Sequence, residues 1–241
     1  MDGDSGKLKR IGVLGGMGVE ATIALMQRVH AATLADDDDD HVPLFVDMNP
    51  QVQSRIRHLI EKDGPDPGPV LADMAARLEQ AGAQALAMPC NTAHFYAHAI
   101  EAGADIPLLN MPKLACAEVA RSLPKGAVLG ILASPATNST GLFQDMLQQV
   151  GLSAIFPEDE TAILAAIRSI KKQGPRPADT AVLDRESAAM AERGASGIIV
   201  GCTEFSLISR DIQVPVPVFD TLDVLVNAII AFSGAQQKHP E

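Results

Sequence analysis

Short apolar runs alternate along this chain with longer stretches in which apolar residues recur every three or four positions. That alternation predicts strands interleaved with helices, the pattern of a parallel α/β sheet. A first strand is expected over 11–14, ending in Gly15-Gly16-Met17-Gly18 and leading into a helix over 21–33. A second strand over 42–48 runs into a polar loop at 49–55, and the Gly/Pro cluster 64–69 introduces a helix over 70–81. A strand over 85–88, a helix over 91–102 and a short strand over 106–110, bounded by Pro107 and Pro112, follow.

The order then begins again. Residues 128–132 resemble 11–14 and lead into the small-residue turn Ala133-Ser134-Pro135-Ala136, with a helix from Ser139. A weak strand at 154–156, a helix over 161–171, a Pro-rich loop at 174–177 and a helix carrying Leu183 and Met190 come next. A strand over 197–200, another near 215–219 and an amphipathic segment over 222–232 close the chain. The expected organisation is two lobes, one formed by 1–112 with 212–241 packed back on it, the other by 113–211. No low-complexity linker separates them, so the lobes are expected to touch.

Within that repetition, one stretch matches without a gap. Placing 71–92 over 183–204 brings Leu71 onto Leu183, Ala76 onto Ala188, Gly82-Ala83 onto Gly194-Ala195 and Cys90 onto Cys202. Each copy reads as an amphipathic helix, a Gly-Ala turn, a buried strand and a thiol at the strand's end, where open α/β sheets present their chemistry. Polar hydrogen-bonding residues follow each thiol at once: Asn91-Thr92 and Thr203-Glu204. If a helix starts there, its unpaired N–H groups favour thiolate over thiol. Two thiols facing each other across a cleft would address both faces of one carbon, the layout needed to move a proton from one side to the other.

Composition narrows the partners. With 19 basic against 30 acidic residues the formal charge of the 241-residue chain is -11, which argues against nucleic acid. The acidic run 36–40 reads as a solvated loop. No apolar segment reaches the roughly 18 residues of a membrane span. Lys7, Lys9 and Arg10 precede an apolar run that is short, Gly-rich and followed by Glu20, which fits a buried strand and turn better than a signal peptide. Three cysteines without close spacing make no disulfide framework, and a cytoplasmic protein with reduced thiols is expected. Cys116 falls in the middle of a helical stretch and reads as core.

The glycines at 15–18 and the turn at 134–140 offer backbone donors suited to a carboxylate. Arg55 and Lys171 are candidates for a second carboxylate. Gly16, Gly18 and Ala21 also fit a dinucleotide fingerprint, with Asp47 as its ribose acid, but that reading leaves the paired cysteines unexplained. His94 and His98, spaced i, i+4 after Cys90, resemble a metal set, yet no further ligand cluster supports one. No metal is expected.

These residues resemble the aspartate/glutamate racemase superfamily, and within it the aspartate racemase branch. Ala87-Met88-Pro89-Cys90-Asn91-Thr92-Ala93-His94 is similar to the family's first cysteine signature, and 198–208, centred on Cys202-Thr203-Glu204, to its second. Leu14-Gly15-Gly16-Met17-Gly18 with Ala21-Thr22 resembles the opening loop, Asn49-Pro50 with Arg55 the substrate-arginine loop, and 132–143 the Thr-containing turn. The resemblance implies an α/β fold of two pseudo-symmetric lobes, each a parallel sheet of about four strands flanked by helices, with the active site between them. It further implies a homodimer and cofactor-independent racemisation, with Cys90 and Cys202 as the acid/base pair. Asn91, Thr92, Thr137 and Thr203 would hold the amino-acid end of a small acidic substrate, Arg55 and Lys171 its distal carboxylate, with Met17 and Glu204 completing the shell.

Gln53-Ser54 stands where many relatives carry Pro-Asp, and Val19 where they often have Pro. Glu204 replaces the His of glutamate racemases, and Gly15-Gly16-Met17 their Asp-Ser-Gly opening; both differences favour the aspartate branch. The rival expectations are a related enzyme of maleate isomerase or malonate decarboxylase type, and a non-catalytic dicarboxylate-binding protein.

Overall fold

A computed structural model describes residues 7–238. Two parallel sheets of four strands make up its framework. The first contains β1 (Ile11–Gly15), β2 (Leu44–Met48), β3 (Ala85–Ala87) and β4 (Leu108–Leu109) in the order β2-β1-β3-β4. The second contains β5 (Val128–Leu132), β6 (Ser153–Ile155), β7 (Gly197–Val200) and β8 (Val218–Asp220) in the order β6-β5-β7-β8. The two orders are the same when counted from each lobe's first strand, so Cys90 after β3 and Cys202 after β7 leave equivalent strands.

Strands covered on both faces must be apolar throughout, and β1, β3 and β7 are buried at every position. Alternation sorts their side chains. Ile11 and Val13 enter one core layer with Leu225 and Ile229, while Leu14 joins Leu71, Met74 and Met88 on the other face. In the second sheet Ile198 and Val200 pack with Ile167 and Leu183, and Ile199 with Leu147 and Phe143's layer.

The covering helices are α1 (Val19–Ala32), α2 (Gly68–Gln80), α3 (Ala97–Gly103), α4 (Met111–Ser122), α5 (Pro135–Ser139), α6 (Leu142–Gln149), α7 (Glu160–Gln173), α8 (Pro177–Glu192) and α9 (Thr221–Ser233). The repeated Gly-Ala pair ends α2 and α8 in the same way. Gly82 and Gly194 take φ of 96° and 94°, and the next residue's N–H returns to Leu78 O and Met190 O respectively. That is the glycine-dependent close of a helix, and it sets the angle at which the following strand enters the sheet.

Several boundaries depart from the sequence pattern. The helix expected from Ser139 begins earlier, because Ser134 caps it by accepting from Thr137 N and Pro135 fits the first turn. Gly141 then separates α5 from α6. The single helix expected after Cys90 is a 3-10 turn, Thr92–Tyr96, followed by α3. The end of the chain is shared between the lobes: β8 pairs with β7 in the second sheet, whereas α9 packs against α1 and α4.

Candidate active site

The Cys90 and Cys202 loops are braced against each other by reciprocal hydrogen bonds. Thr203 Oγ1, beside Cys202, donates to Pro89 O at 3.0 Å. Asn91 Nδ2, beside Cys90, donates to Thr221 Oγ1 at 2.9 Å, and that hydroxyl donates on to Val200 O at the end of β7. Each lobe's thiol loop is thus tied to the other lobe's strand end. Both sulfurs are buried and both line one small cavity between the sheets.

The cavity measures about 50 Å³. Of the residues expected at the site, Met17, Arg55, Cys90, Thr92, Lys171, Cys202 and Glu204 line it. Asn91, Thr137 and Thr203 stand behind that wall, each nearly fully buried. Sequence reasoning missed Ile56, Ser134 and Ile167, which complete the lining. Two of them are apolar residues with no chemical signature, and Ser134 was visible only as part of a turn. An open groove of about 460 Å³ at the start of α8 is larger, but it contains neither sulfur.

Three hydroxyls meet at one end. Thr92 Oγ1 lies 2.7 Å from Thr137 Oγ1 and 3.1 Å from Ser134 Oγ, and the last two are 3.0 Å apart. Thr92 follows β3 and the others follow β5, so this cluster again joins the lobes. The Oδ1 of the preceding residue, Asn91, is buried without a partner among the described residues.

Two cations reach the cavity. Arg55 sits just before a π-helical turn, Arg57–Glu61, and its Nη1 donates to Gln53 O at 3.1 Å. Lys171, on the last turn of α7, places Nζ 3.2 Å from Glu204 Oε1. Burial works to lower the Lys171 ammonium, but the negative charges of Glu204 and of both sulfurs when ionised outweigh it and hold it above its ordinary value.

The other oxygen of Glu204 is taken as well: Cys202 Sγ donates to Glu204 Oε2 at 3.1 Å. Burial first, then the charge of Glu204 and its hydrogen bond, push the Cys202 thiol well up from its ordinary value. Cys202 therefore rests as a thiol. Any pull of a helix start toward thiolate is outweighed here by burial and by an adjacent carboxylate. Burial likewise raises Cys116 to about 12, as expected of a core thiol.

His94 is not a metal ligand but a clamp. Met111 N donates to its Nε2 at 3.2 Å, so Nδ1 carries the proton and donates to Cys90 O at 2.9 Å. Buried among these partners, the ring is pushed down to about 4 and is neutral near pH 7, with both nitrogens engaged. Among the described residues no group of three or more His, Cys, Asp or Glu side chains is arranged to hold a metal ion. A second brace lies under the Cys202 loop, where Ser206 and Ser209 donate to the two oxygens of Asp220 at 2.6 and 2.7 Å. Arg28 from α1 pairs with the same carboxylate at 2.8 Å.

The dinucleotide reading of Gly16 to Ala21 does not survive this geometry. Gly16 is required for packing, since a Cβ there would lie 2.3 Å from the Asn49 carbonyl carbon. Asp47, the expected ribose acid, is paired with Arg77 at 2.6 Å. No helix among the described residues is long and apolar enough to cross a membrane.

Paired lobes thus carry one cysteine each at equivalent strand ends of two parallel sheets. The family model for Asp/Glu/Hydantoin racemase matches residues 14–229, and the chain belongs to that family of isomerases. It is 25% identical to the broad specificity amino-acid racemase RacX of Bacillus subtilis over 94% of this chain and 99% of the relative. The aspartate racemase of Picrophilus torridus superposes with a TM-score of 0.84 at 25% identity, covering 95% of this chain and 96% of that one. Glutamate racemase from Francisella tularensis, solved with D-glutamate, shares the fold at a TM-score of 0.61 and 17% identity, covering 92% of this chain and 80% of that one.

Proposed function

We propose that this enzyme interconverts the enantiomers of aspartate, and also those of glutamate, by a two-base mechanism in which Cys90 and Cys202 exchange a proton through the substrate's α-carbon. The observation that carries this reading is that the two sulfurs, from equivalent strands of the two lobes, share one cavity with two cations. Sequence similarity to a named aspartate racemase over nearly the whole chain supports the substrate class.

In this reading Cys90 acts as thiolate and withdraws the α-proton, while Cys202, resting as thiol, delivers one to the opposite face. Reversal of both roles converts the other enantiomer. The hydroxyls of Thr92, Ser134 and Thr137 donate to the α-carboxylate, where negative charge grows as the proton leaves. Once the cavity widens, the unpaired Asn91 Oδ1 behind its wall is the acceptor for the substrate's ammonium group. Arg55 and Lys171 take the distal carboxylate, the arginine through its free N–H groups and the lysine by leaving Glu204. General acid–base positioning contributes about 10²–10⁴-fold. The remainder comes from donors fixed in a site without bulk water. No cofactor takes part.

A cavity of about 50 Å³ is small for an amino-acid substrate. Substrate entry therefore requires the cavity to widen. The reading includes a homodimer, carried by the family resemblance, and a cytoplasmic setting, carried by the cysteine pattern.

The test is a substrate screen. L-aspartate, L-glutamate, neutral L-amino acids and maleate are incubated with the enzyme and resolved by chiral chromatography and ultraviolet absorbance. D-aspartate appearing fastest supports the reading. Fumarate from maleate without racemisation, or binding without turnover, contradicts it.

A further inference from the structure

A two-base racemase leaves each turnover with its protons in the wrong places. Once Cys202 has given its proton and Cys90 has gained one, the enzyme is set for the product enantiomer. To process the same enantiomer again, Cys202 must regain a proton and Cys90 must lose one. Both thiols are buried, each 7% exposed, but Cys202 donates to a carboxylate that also lines a second, outer cleft.

The position of Glu204 is unusual in this respect. Its Oε2 accepts from Cys202 Sγ and its Oε1 faces Lys171 Nζ, so both oxygens are engaged. Besides lining the inner cavity, Glu204 and Lys171 also line a separate outer cleft of about 330 Å³, shared with Gly16, Gly18 and Val19. The carboxylate therefore forms part of the wall between the thiol and an opening to solvent. Gly18 leaves that wall thin: a Cβ at this position would stand 3.2 Å from Glu204 Oε1.

We propose that Glu204 is the port through which Cys202 exchanges its proton with water between turnovers, Lys171 holding the carboxylate between the sulfur and the outer cleft. The proposal rests on the two-thiol reading given above. After turnover, a hydronium ion or buffer acid in the outer cleft protonates the Glu204 carboxylate, which passes that proton to the Cys202 thiolate. Cys90 thiol returns its proton to water, so one proton enters and one leaves. The proton passes from a carboxylic acid to a more basic thiolate, so delivery runs downhill.

This step has a kinetic signature that a purely structural role lacks. Return of the free enzyme to its starting form enters kcat but not kcat/KM, which covers only the steps from substrate capture to product release. Glu204→Gln removes the proton carrier and is expected to lower kcat by roughly 10²-fold, the usual worth of a positioned acid–base group, with a far smaller fall in kcat/KM and a parallel fall in KM. Product should become a noncompetitive inhibitor, and acetate or formate in the buffer should restore kcat in a concentration-dependent way.

Gly18→Ala provides a second variant. It leaves the carboxylate chemically intact and places a methyl between it and the outer cleft, and the same selective loss of kcat is expected. Equal losses in kcat and kcat/KM for both folded variants, with no response to added acid, overturn the port while leaving the two-thiol reading intact. Absence of racemisation by the unaltered enzyme overturns the functional reading itself.

Discussion

Replacing His94 with Gln tests whether the clamp behind Cys90 is a buried neutral imidazole. The ring joins Cys90 O to Met111 N and is pushed from its ordinary 6.5 down to about 4 by burial. Below pH 6.5 the unfolded chain takes up a proton at this histidine and the folded protein does not. Folding therefore loses about 1.4 kcal/mol per pH unit from this group until the folded ring itself titrates near 4. Between pH 7.5 and pH 5 the loss comes to about 2 kcal/mol, and about 3 kcal/mol by pH 4.

Glutamine can present a donor and an acceptor but has no proton to take up. At pH 7.5 the variant is expected to be less stable by about 1–2 kcal/mol, for less well-placed hydrogen bonds. At pH 5 that deficit should close. Urea unfolding of both proteins at the two pH values measures it: the wild-type midpoint should move toward the variant's by about 1 M, for a slope near 2 kcal/mol per M. Parallel loss of stability in the two proteins would mean that the imidazole is not held neutral, and the clamp would be wrong.

The other predictions are more direct. Lys171→Met removes the partner of a nearly buried carboxylate and the distal-carboxylate cation together. It should raise KM for aspartate, and destabilise by only about 1 kcal/mol because the lysine is 43% exposed. An unchanged KM, read from initial rates, removes Lys171 from substrate binding. Gly16→Ala puts a methyl 2.3 Å from the Asn49 carbonyl carbon, and calorimetry should show a Tm lower by several degrees; an unchanged Tm would mean that the opening loop is not packed as described. Cys202, held as a thiol by burial and Glu204, should react with iodoacetamide only above the ordinary thiol range, as peptide mass spectrometry would show. Rapid labelling at pH 7 contradicts the Cys202–Glu204 pairing.

Much of the fold was legible because its signals are local. The Gly-Ala pairs at 82–83 and 194–195 end helices by a backbone rule, and the apolar runs after them have no choice but burial. The ungapped match between the two copies then placed both thiols at equivalent strand ends without any knowledge of tertiary contacts. What the pattern could not reach depends on approach between distant segments. The Thr92–Ser134–Thr137 cluster spans both lobes, and Ile56 and Ile167 enter the cavity as ordinary apolar residues. Nor does the sequence show that the two oxygens of Glu204 are engaged by Cys202 and Lys171. The 3-10 turn after Cys90 was hidden for the same reason, since His94, which sits in that turn, is held by a backbone amide 17 residues away.

The most direct test of the central claim is the exchange of the α-hydrogen in deuterium oxide by the wild-type enzyme and by Cys90→Ser and Cys202→Ser. With L-aspartate, the wild-type D-product should carry solvent deuterium at the α-carbon, and each single variant should lose nearly all racemisation in both directions. Undiminished racemisation by either variant, or a D-product that retains its original hydrogen, would contradict a proton relay between two sulfurs.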